Sequence, residues 1–210
     1  MTDAAQIPSI YVIAGTNGAG KSSLAGAMLL QQGGNYFNPD EAASQILSAN
    51  PGITRLQANS EAWYEGKRLL ERAVAERLYF AFETTLGGKT ITGILHEALS
   101  RGLEVRMLYV GLSSPDLHIA RVRSRVTRGG HDIPVAKILE RYNRSLVNLI
   151  KLVPMLTELK VYDNSKEADP NTGAAPQPVL ILHSERGKIV SRCELSDVPQ
   201  WAKPIVAAAM

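Results

Sequence analysis

Gly15-Thr16-Asn17-Gly18-Ala19-Gly20-Lys21-Ser22 is the stretch in which residue type and spacing dictate a chemistry. It satisfies G-x-x-x-x-G-K-[ST], where glycines let the backbone curl until successive N–H groups converge on a β-phosphate. Lys21 is expected to span the β- and γ-phosphates, and the Ser22 hydroxyl to ligate Mg2+. The context is the one such a loop requires. Ile10-Tyr11-Val12-Ile13-Ala14 is a short apolar run with the look of a buried strand, and residues Ser23 to Leu30 read as the helix that follows. That helix start adds a favourable dipole for anions, and Ser23 is counted with the loop as nucleotide-binding.

Two acids sit where a strand should deliver them. Tyr36-Phe37 is a short strand candidate that ends at the turn signal Asn38-Pro39, and Asp40 follows. A carboxylate there could accept a proton from an acceptor hydroxyl. Asp40 could equally serve only as the N-cap of a helix from Glu41 to Leu47, and both duties can coexist. Tyr79-Phe80-Ala81-Phe82 runs straight into Glu83-Thr84-Thr85, then Gly87-Gly88. Strand ends line the ligand crevice of parallel α/β sheets. Glu83 could hold the acceptor's hydroxyls, with Thr84 and Thr85, or orient water on Mg2+.

Arginines concentrate further on. Arg121, Arg125 and Arg128 stand at i, i+4 and i+7 of a helix expected from Pro115 to Thr127. After Gly129-Gly130-His131-Asp132-Ile133-Pro134, Lys137, Arg141 and Arg144 repeat the spacing above an apolar stripe of Ile138, Tyr142, Leu146 and Leu149. Two basic stripes joined at a Gly-Gly hinge suggest a lid. Transfer of a phosphoryl group demands one, because charge spreads on the γ-oxygens and guanidinium forks pair with phosphate bidentately. His131 is expected to be structural.

The elements that must position these residues form an alternating pattern. Residues Asn59 to Tyr79 read as a long helix with Trp63, Leu69, Leu70, Val74 and Leu78 as core contacts. Lys89 to Arg101 is a further helix, residues Leu103 to Leu112 and Leu159 to Ser165 are strands, and Asp169 to Pro178 is a loop by composition. Val179-Leu180-Ile181-Leu182 and Lys188-Ile189-Val190 suggest an edge hairpin, and Val198 to Ala208, with Trp201, a closing helix. The pattern predicts an α/β chain of the P-loop NTPase fold, with a central, mostly parallel sheet flanked by helices. The expected organisation is one domain over 1–210, with the lid at about 121–145, a loop at 166–178 and the hairpin and helix at 179–210.

Composition narrows the classes. Hydrophobic residues at 45% and charged residues at 20% are ordinary for a globular chain. No apolar run is long enough to span a bilayer, and the first eight residues lack the basic and apolar regions of a leader, so a cytoplasmic location is expected. The single Cys193 excludes an internal disulfide framework. A net charge of +3 with 6% aromatic residues is poor equipment for a nucleic-acid surface.

Taken in order, Ala14 to Ser22, Asn38-Pro39-Asp40, Phe82-Glu83-Thr84-Thr85-Leu86, Arg125-Val126 with Gly129 to Pro134, and Arg141 to Leu149 resemble the zeta toxin family of P-loop kinases over about residues 8 to 165. Thr16 stands where relatives often carry proline. The resemblance implies an ATP- or GTP-dependent, Mg2+-requiring kinase acting on a sugar hydroxyl of UDP-N-acetylglucosamine, which starves peptidoglycan synthesis, with an antitoxin as a possible protein partner. It implies that Lys21 and Ser22 serve nucleotide and metal, that Asp40 is the base or orienter of the hydroxyl, and that Glu83 anchors the acceptor. Arg125 and Arg141 would clamp the transferred phosphate, with Arg128 and Arg144 as candidates for the same work. The alternatives are a kinase of the same fold for another small hydroxyl compound, and a nucleotide-dependent switch acting on a protein partner.

Overall fold

In a computed structural model of the chain, which describes residues 8–24, 36–166 and 177–210, the apolar run before the glycine-rich loop is strand β1 (Ser9–Ala14). Then follow α1 (Pro39–Ala49), α2 (Arg55–Glu76), β2 (Phe80–Thr84), α3 (Lys89–Ser100), β3 (Glu104–Gly111), α4 (Pro115–Thr127) and α5 (Val135–Leu152). A 3-10 turn (Val153–Met155), β4 (Glu158–Asp163), β5 (Val179–Glu185), β6 (Lys188–Arg192) and α6 (Lys203–Ala209) complete the chain. Residues 1–7, the expected first helix beyond residue 24, residues 31–35 and most of the expected loop, at 167–176, lie outside the described residues.

The six strands form one sheet in the order β2-β1-β3-β4-β5-β6. The first four are parallel; β5 and β6 return antiparallel as the edge hairpin that the sequence predicts. Alternate positions share one core: Ile10, Val12 and Ala14 of β1, Val105, Met107 and Tyr109 of β3, and Leu159 and Val161 of β4. The helices meet them with Leu70 and Val74 of α2, Leu95 and Ala98 of α3, Leu149 and Leu152 of α5, and Ile205 and Val206 of α6. Burying a Leu, Ile or Val side chain is worth about 1.5–3 kcal/mol, so this layer anchors the parallel strands whose C-terminal ends carry the site.

Local signals account for the helix starts. Asn38 accepts from the backbone N–H of Asp40 at 2.9 Å and Pro39 opens α1. Thr54 and Gln57 form a reciprocal capping box on α2, and Ser114 accepts from Leu117 N at 3.2 Å ahead of α4. The Tyr36-Phe37 strand reduces to a single parallel bridge, in which Phe37 N donates to the Ala81 carbonyl at 2.8 Å and Glu83 N to the Phe37 carbonyl at 2.9 Å.

Three expectations need correction. Asp40 does not cap α1; Asn38 does, so the Asp40 carboxylate is free of that duty. Trp63 and Leu78 are exposed rather than core residues, because α2 turns a stripe of Ala58, Ala62, Gly66, Leu70 and Ala73 inward instead. The closing helix is shorter than residues 198–208, with Trp201 buried in the turn before it. Among the described residues no helix is long and apolar enough to cross a membrane.

Candidate active site

Parallel register brings the sequence-predicted acid to the glycine-rich loop. Ile13 lies opposite Glu83 and Ala14 opposite Thr84, so β2 ends beside the residues where β1 enters the loop. The Ser22 hydroxyl donates to Glu83 Oε2 at 2.8 Å, and Lys21 Nζ lies 3.5 Å from Glu83 Oε1. Lys21 and Glu83 are both buried. A paired carboxylate can persist in such a setting, whereas an unpaired one would bear the full desolvation cost.

The loop's glycines are there for space as well as for curl. At Gly15, with φ 141°, a Cβ would lie 2.2 Å from the Val110 carbonyl oxygen of β3. Only glycine fits between the two strands at that point. The loop is also held from outside: Asn164, just past β4, donates to the Ala19 carbonyl at 2.8 Å. His118 of α4 is buried and its Nδ1 lies 2.8 Å from the Asn17 carbonyl. Burial pushes the His118 pKa down to about 4, with Lys21 and Arg121 adding to the effect against the hydrogen bond. The ring is therefore neutral at pH 7, with Nδ1–H as the donor to that carbonyl.

Of the lid arginines, Arg141 reaches the loop itself. Arg141 of α5 donates from Nη1 to Asn17 Oδ1 at 2.8 Å. Burial lowers the pKa of its guanidinium, and the carboxylates of Asp40 and then Glu140 oppose that effect. Arg125 of α4 donates to the His131 carbonyl at 2.8 Å, and its Nη1 lies 3.8 Å from Asp40 Oδ2. That contact is half-exposed and contributes little to stability. It marks position: the acid and the cation face one another at the lid's edge.

A cleft of about 380 Å³ opens between the loop, α2, the end of β2 and the lid. Of the residues singled out from sequence, Asn17, Lys21, Asp40 and Glu83 line it, as do Thr84, Thr85, Arg141 and Arg144. Arg144 and Lys137 are both paired with Glu140 there. Arg128 is not brought in: it lies past the end of α4 and folds back on the Ser124 carbonyl and hydroxyl. Arg121 turns to the Lys166 carbonyl. The shared face read from i, i+4, i+7 spacing therefore splits among three partners. Ser23 is exposed and makes no contribution to the cleft wall.

Sequence reasoning missed His118 and the α2 wall of Asn59, Trp63 and Lys67. The signal for the α2 wall was present: the Ala-Ala-Gly stripe at 58, 62 and 66 marks the inward face and leaves Trp63 off it. For His118 there was none, because its partner is a backbone carbonyl 101 residues away in sequence.

A nucleotide and Mg2+ can be tested against these residues. A hydroxyl and a carboxylate 2.8 Å apart are the hard oxygen donors that Mg2+ prefers, and Lys21 beside them is the cation expected at a phosphate chain. The donor set fits.

Over residues 2–169 the chain matches the zeta toxin family. An uncharacterized protein of Haemophilus influenzae is 30% identical over 132 residues, which is 61% of this chain and 88% of that protein. Among solved structures, the AvrRxo1-ORF1:-ORF2 complex with ATP superposes with a TM-score of 0.65 at 13% identity, covering 96% of this chain and 63% of that one. A structure from the PezAT chromosomal toxin–antitoxin system of Streptococcus pneumoniae gives a TM-score of 0.53 at 18% identity, covering 77% of this chain and 70% of that one. The chain thus spans less than two thirds of the AvrRxo1 chain, and at these identities the structural likeness speaks for the fold.

Proposed function

The chain belongs to the zeta toxin family, and from that premise we propose that it is a nucleotide-dependent kinase that phosphorylates a hydroxyl of a small acceptor. The observation that carries the reading is the convergence on one cleft of Lys21, Asp40, Glu83 and Arg141, drawn from four separate elements. The AvrRxo1 relative with bound ATP supports the nucleotide. The finer reading is UDP-N-acetylglucosamine as acceptor and an antitoxin as protein partner; the PezAT relative belongs to a toxin–antitoxin system and supports the second of these.

In this reading the backbone of residues 15–22 cradles the phosphates and Lys21 neutralises them. Ser22 and Glu83 would hold Mg2+, which would supply charge neutralisation to the phosphates. In this reading Glu83 serves the metal rather than the acceptor, supported by its contact with the Ser22 hydroxyl, and Thr84 and Thr85 face the acceptor. Asp40 accepts the proton of the acceptor hydroxyl as that oxygen bonds the γ-phosphorus and the bond to the β-phosphate oxygen breaks, leaving the nucleoside diphosphate. Arg141 and Arg125 stabilise charge on the transferred group, and closing α4 and α5 over it excludes water, so that transfer competes with hydrolysis.

The test is to incubate the chain with ATP, Mg2+ and a panel of UDP-sugars and nucleotide-free sugars, and to follow acceptors by mass. A gain of one phosphoryl group, absent in Lys21→Ala, is the expected result. ATP consumption with no acceptor gaining mass, or no consumption at all, would overturn the kinase reading.

A further inference from the structure

We propose that Glu158, His183 and Glu185 form a second cation site, for a divalent transition ion of the zinc class, which fastens β5 to β4 at the end of those strands remote from the cleft. None of the three residues lines the cleft, so the site is independent of the kinase reading.

Strand pairing assembles the group. In the antiparallel register Glu158 lies opposite Glu185 and Lys160 opposite His183, and positions two apart along a strand share a face. These four residues therefore form a two-by-two block on one face of the sheet. Glu158 opens β4, whereas Asp163 closes it and the next residue, Asn164, touches the glycine-rich loop. Carboxylates directly opposite one another repel, so the pairing of Glu158 with Glu185 costs stability unless a cation lies between them.

The imidazole indicates which cation. His183 Nε2 lies 3.3 Å from Glu158 Oε1 and 3.2 Å from Glu185 Oε1, and its side chain is only 16% exposed. Among the described residues this buried nitrogen nevertheless makes no hydrogen bond, so neither oxygen stands where an Nε2 proton would point. A nitrogen close to two carboxylate oxygens yet donating to neither is the arrangement of ligands about an ion. Bonds of about 2.0–2.1 Å in a tetrahedron set neighbouring ligands about 3.3–3.4 Å apart, close to the spacing of both nitrogen–oxygen pairs. All three donor atoms lie within 4.8 Å of one another. One nitrogen and two oxygens suit an ion of the zinc class better than Mg2+, which prefers oxygen throughout.

The flanking cations orient the site and compete for it. Arg106 Nη1 donates to Glu158 Oε2 at 3.1 Å, which leaves Oε1 facing the imidazole. Metal-binding carboxylates are commonly fixed by such an outer partner. Lys160 Nζ lies 2.7 Å from the same Oε1, so an incoming ion has to displace it. That lysine can leave, because its stem is flexible and its side chain is 32% exposed. Removing its ammonium should therefore tighten metal binding. A plain ion-pair cluster, with a protonated His183 between two acids, predicts no site with or without Lys160.

The test uses the untagged full chain, stripped by a chelator, and titrates it calorimetrically with Zn2+ in excess Mg2+, with Co2+ as an optical probe. One equivalent of Zn2+ is expected to bind, and Co2+ to show the strong visible absorption of four-coordination. His183→Gln and Glu185→Gln should each weaken Zn2+ binding about 10- to 100-fold or more. Lys160→Met should strengthen it about 10-fold, as loss of a neighbouring like charge predicts. Zn2+ should raise the urea midpoint of the native chain but not that of His183→Gln. Affinity for an ATP analogue should be the same in both, whatever the outcome for phosphoryl transfer. The proposal is overturned if Zn2+ does not bind, if both Gln variants bind it as tightly as the native chain, or if Lys160→Met binds it no better.

Discussion

Asp40 and Glu83 are two of the carboxylates that line the cleft, and their neighbours give them different work. Glu83 is buried between Lys21 and Ser22, whereas the Asp40 side chain is 49% exposed and faces Arg125 at 3.8 Å. With capping taken over by Asn38, nothing in α1 competes for the Asp40 oxygens. Asp40→Asn keeps the shape and removes the base, so kcat should fall about 10²- to 10⁴-fold while ATP affinity holds. Unchanged transfer by that variant would end the assignment. Glu83→Gln keeps an acceptor for the Ser22 hydroxyl but loses the charge, and should raise the Mg2+ concentration needed for half-maximal rate. An unaltered Mg2+ requirement with a raised acceptor KM would return Glu83 to the acceptor side. Both acids were legible in the sequence, Glu83 because it ends an apolar run ahead of Gly87-Gly88 and Asp40 because it stands just past a short apolar run and the turn signal Asn38-Pro39. Their division of labour was not. Asn38-Pro39-Asp40 contains two good caps, and which of them closes the helix depends on where the Phe37 bridge directs the chain.

Helices α4 and α5 show how far spacing carries. The limits of α4 fall where the sequence puts them, because Ser114-Pro115 starts a helix and Gly129-Gly130 cannot continue one. Spacing fixes which arginines share a face of α4, but not whether the helix lasts long enough to hold all of them there. It ends at Thr127, and Arg128 folds back on Ser124. Only Arg125 of that set stays near an acid of the site. In α5 the spacing holds better, since Ile138 and Leu149 are buried and fix the rotation that turns Arg141 toward Asn17. Arg141→Ala should therefore lower kcat by about 10³-fold or more, the scale of an arginine finger, with ATP affinity nearly intact. Arg141→Lys should not restore it, because one ammonium cannot reproduce the planar fork. Arg128→Ala, outside the cleft, should leave the rate near that of the native chain. Equal loss of kcat and ATP affinity in Arg141→Ala would place that residue in ground-state binding.

At the scale of the whole molecule, the mostly parallel sheet and its edge hairpin were readable because a parallel sheet needs apolar strands at regular intervals, whereas the order of the strands was not. The ties between lid and loop were not, and His118 is the principal one. It belongs to α4, holds the Asn17 carbonyl of the loop, and meets Tyr142 of α5 edge-on at 5.5 Å. This contact joins lid and loop, and it also ties folding to pH. The folded pKa of about 4 lies below the ordinary value of 6.5, so between them the unfolded chain binds a proton that the native chain refuses. Stability is complete above about pH 6.5 and declines as pH falls toward 4, by on the order of 3 kcal/mol at the limit. Burial lowers the His131 pKa too and acts in the same direction, so the contribution of His118 is read as a difference between variants. His118→Asn retains an N–H donor for the Asn17 carbonyl but no titrating group. It should be less stable than the native chain at pH 7, because the imidazole leaves a gap, yet its urea midpoint should change less between pH 6.5 and 5. Parallel slopes for the two proteins would show that the ring takes up its proton without opening the contact between α4 and the loop.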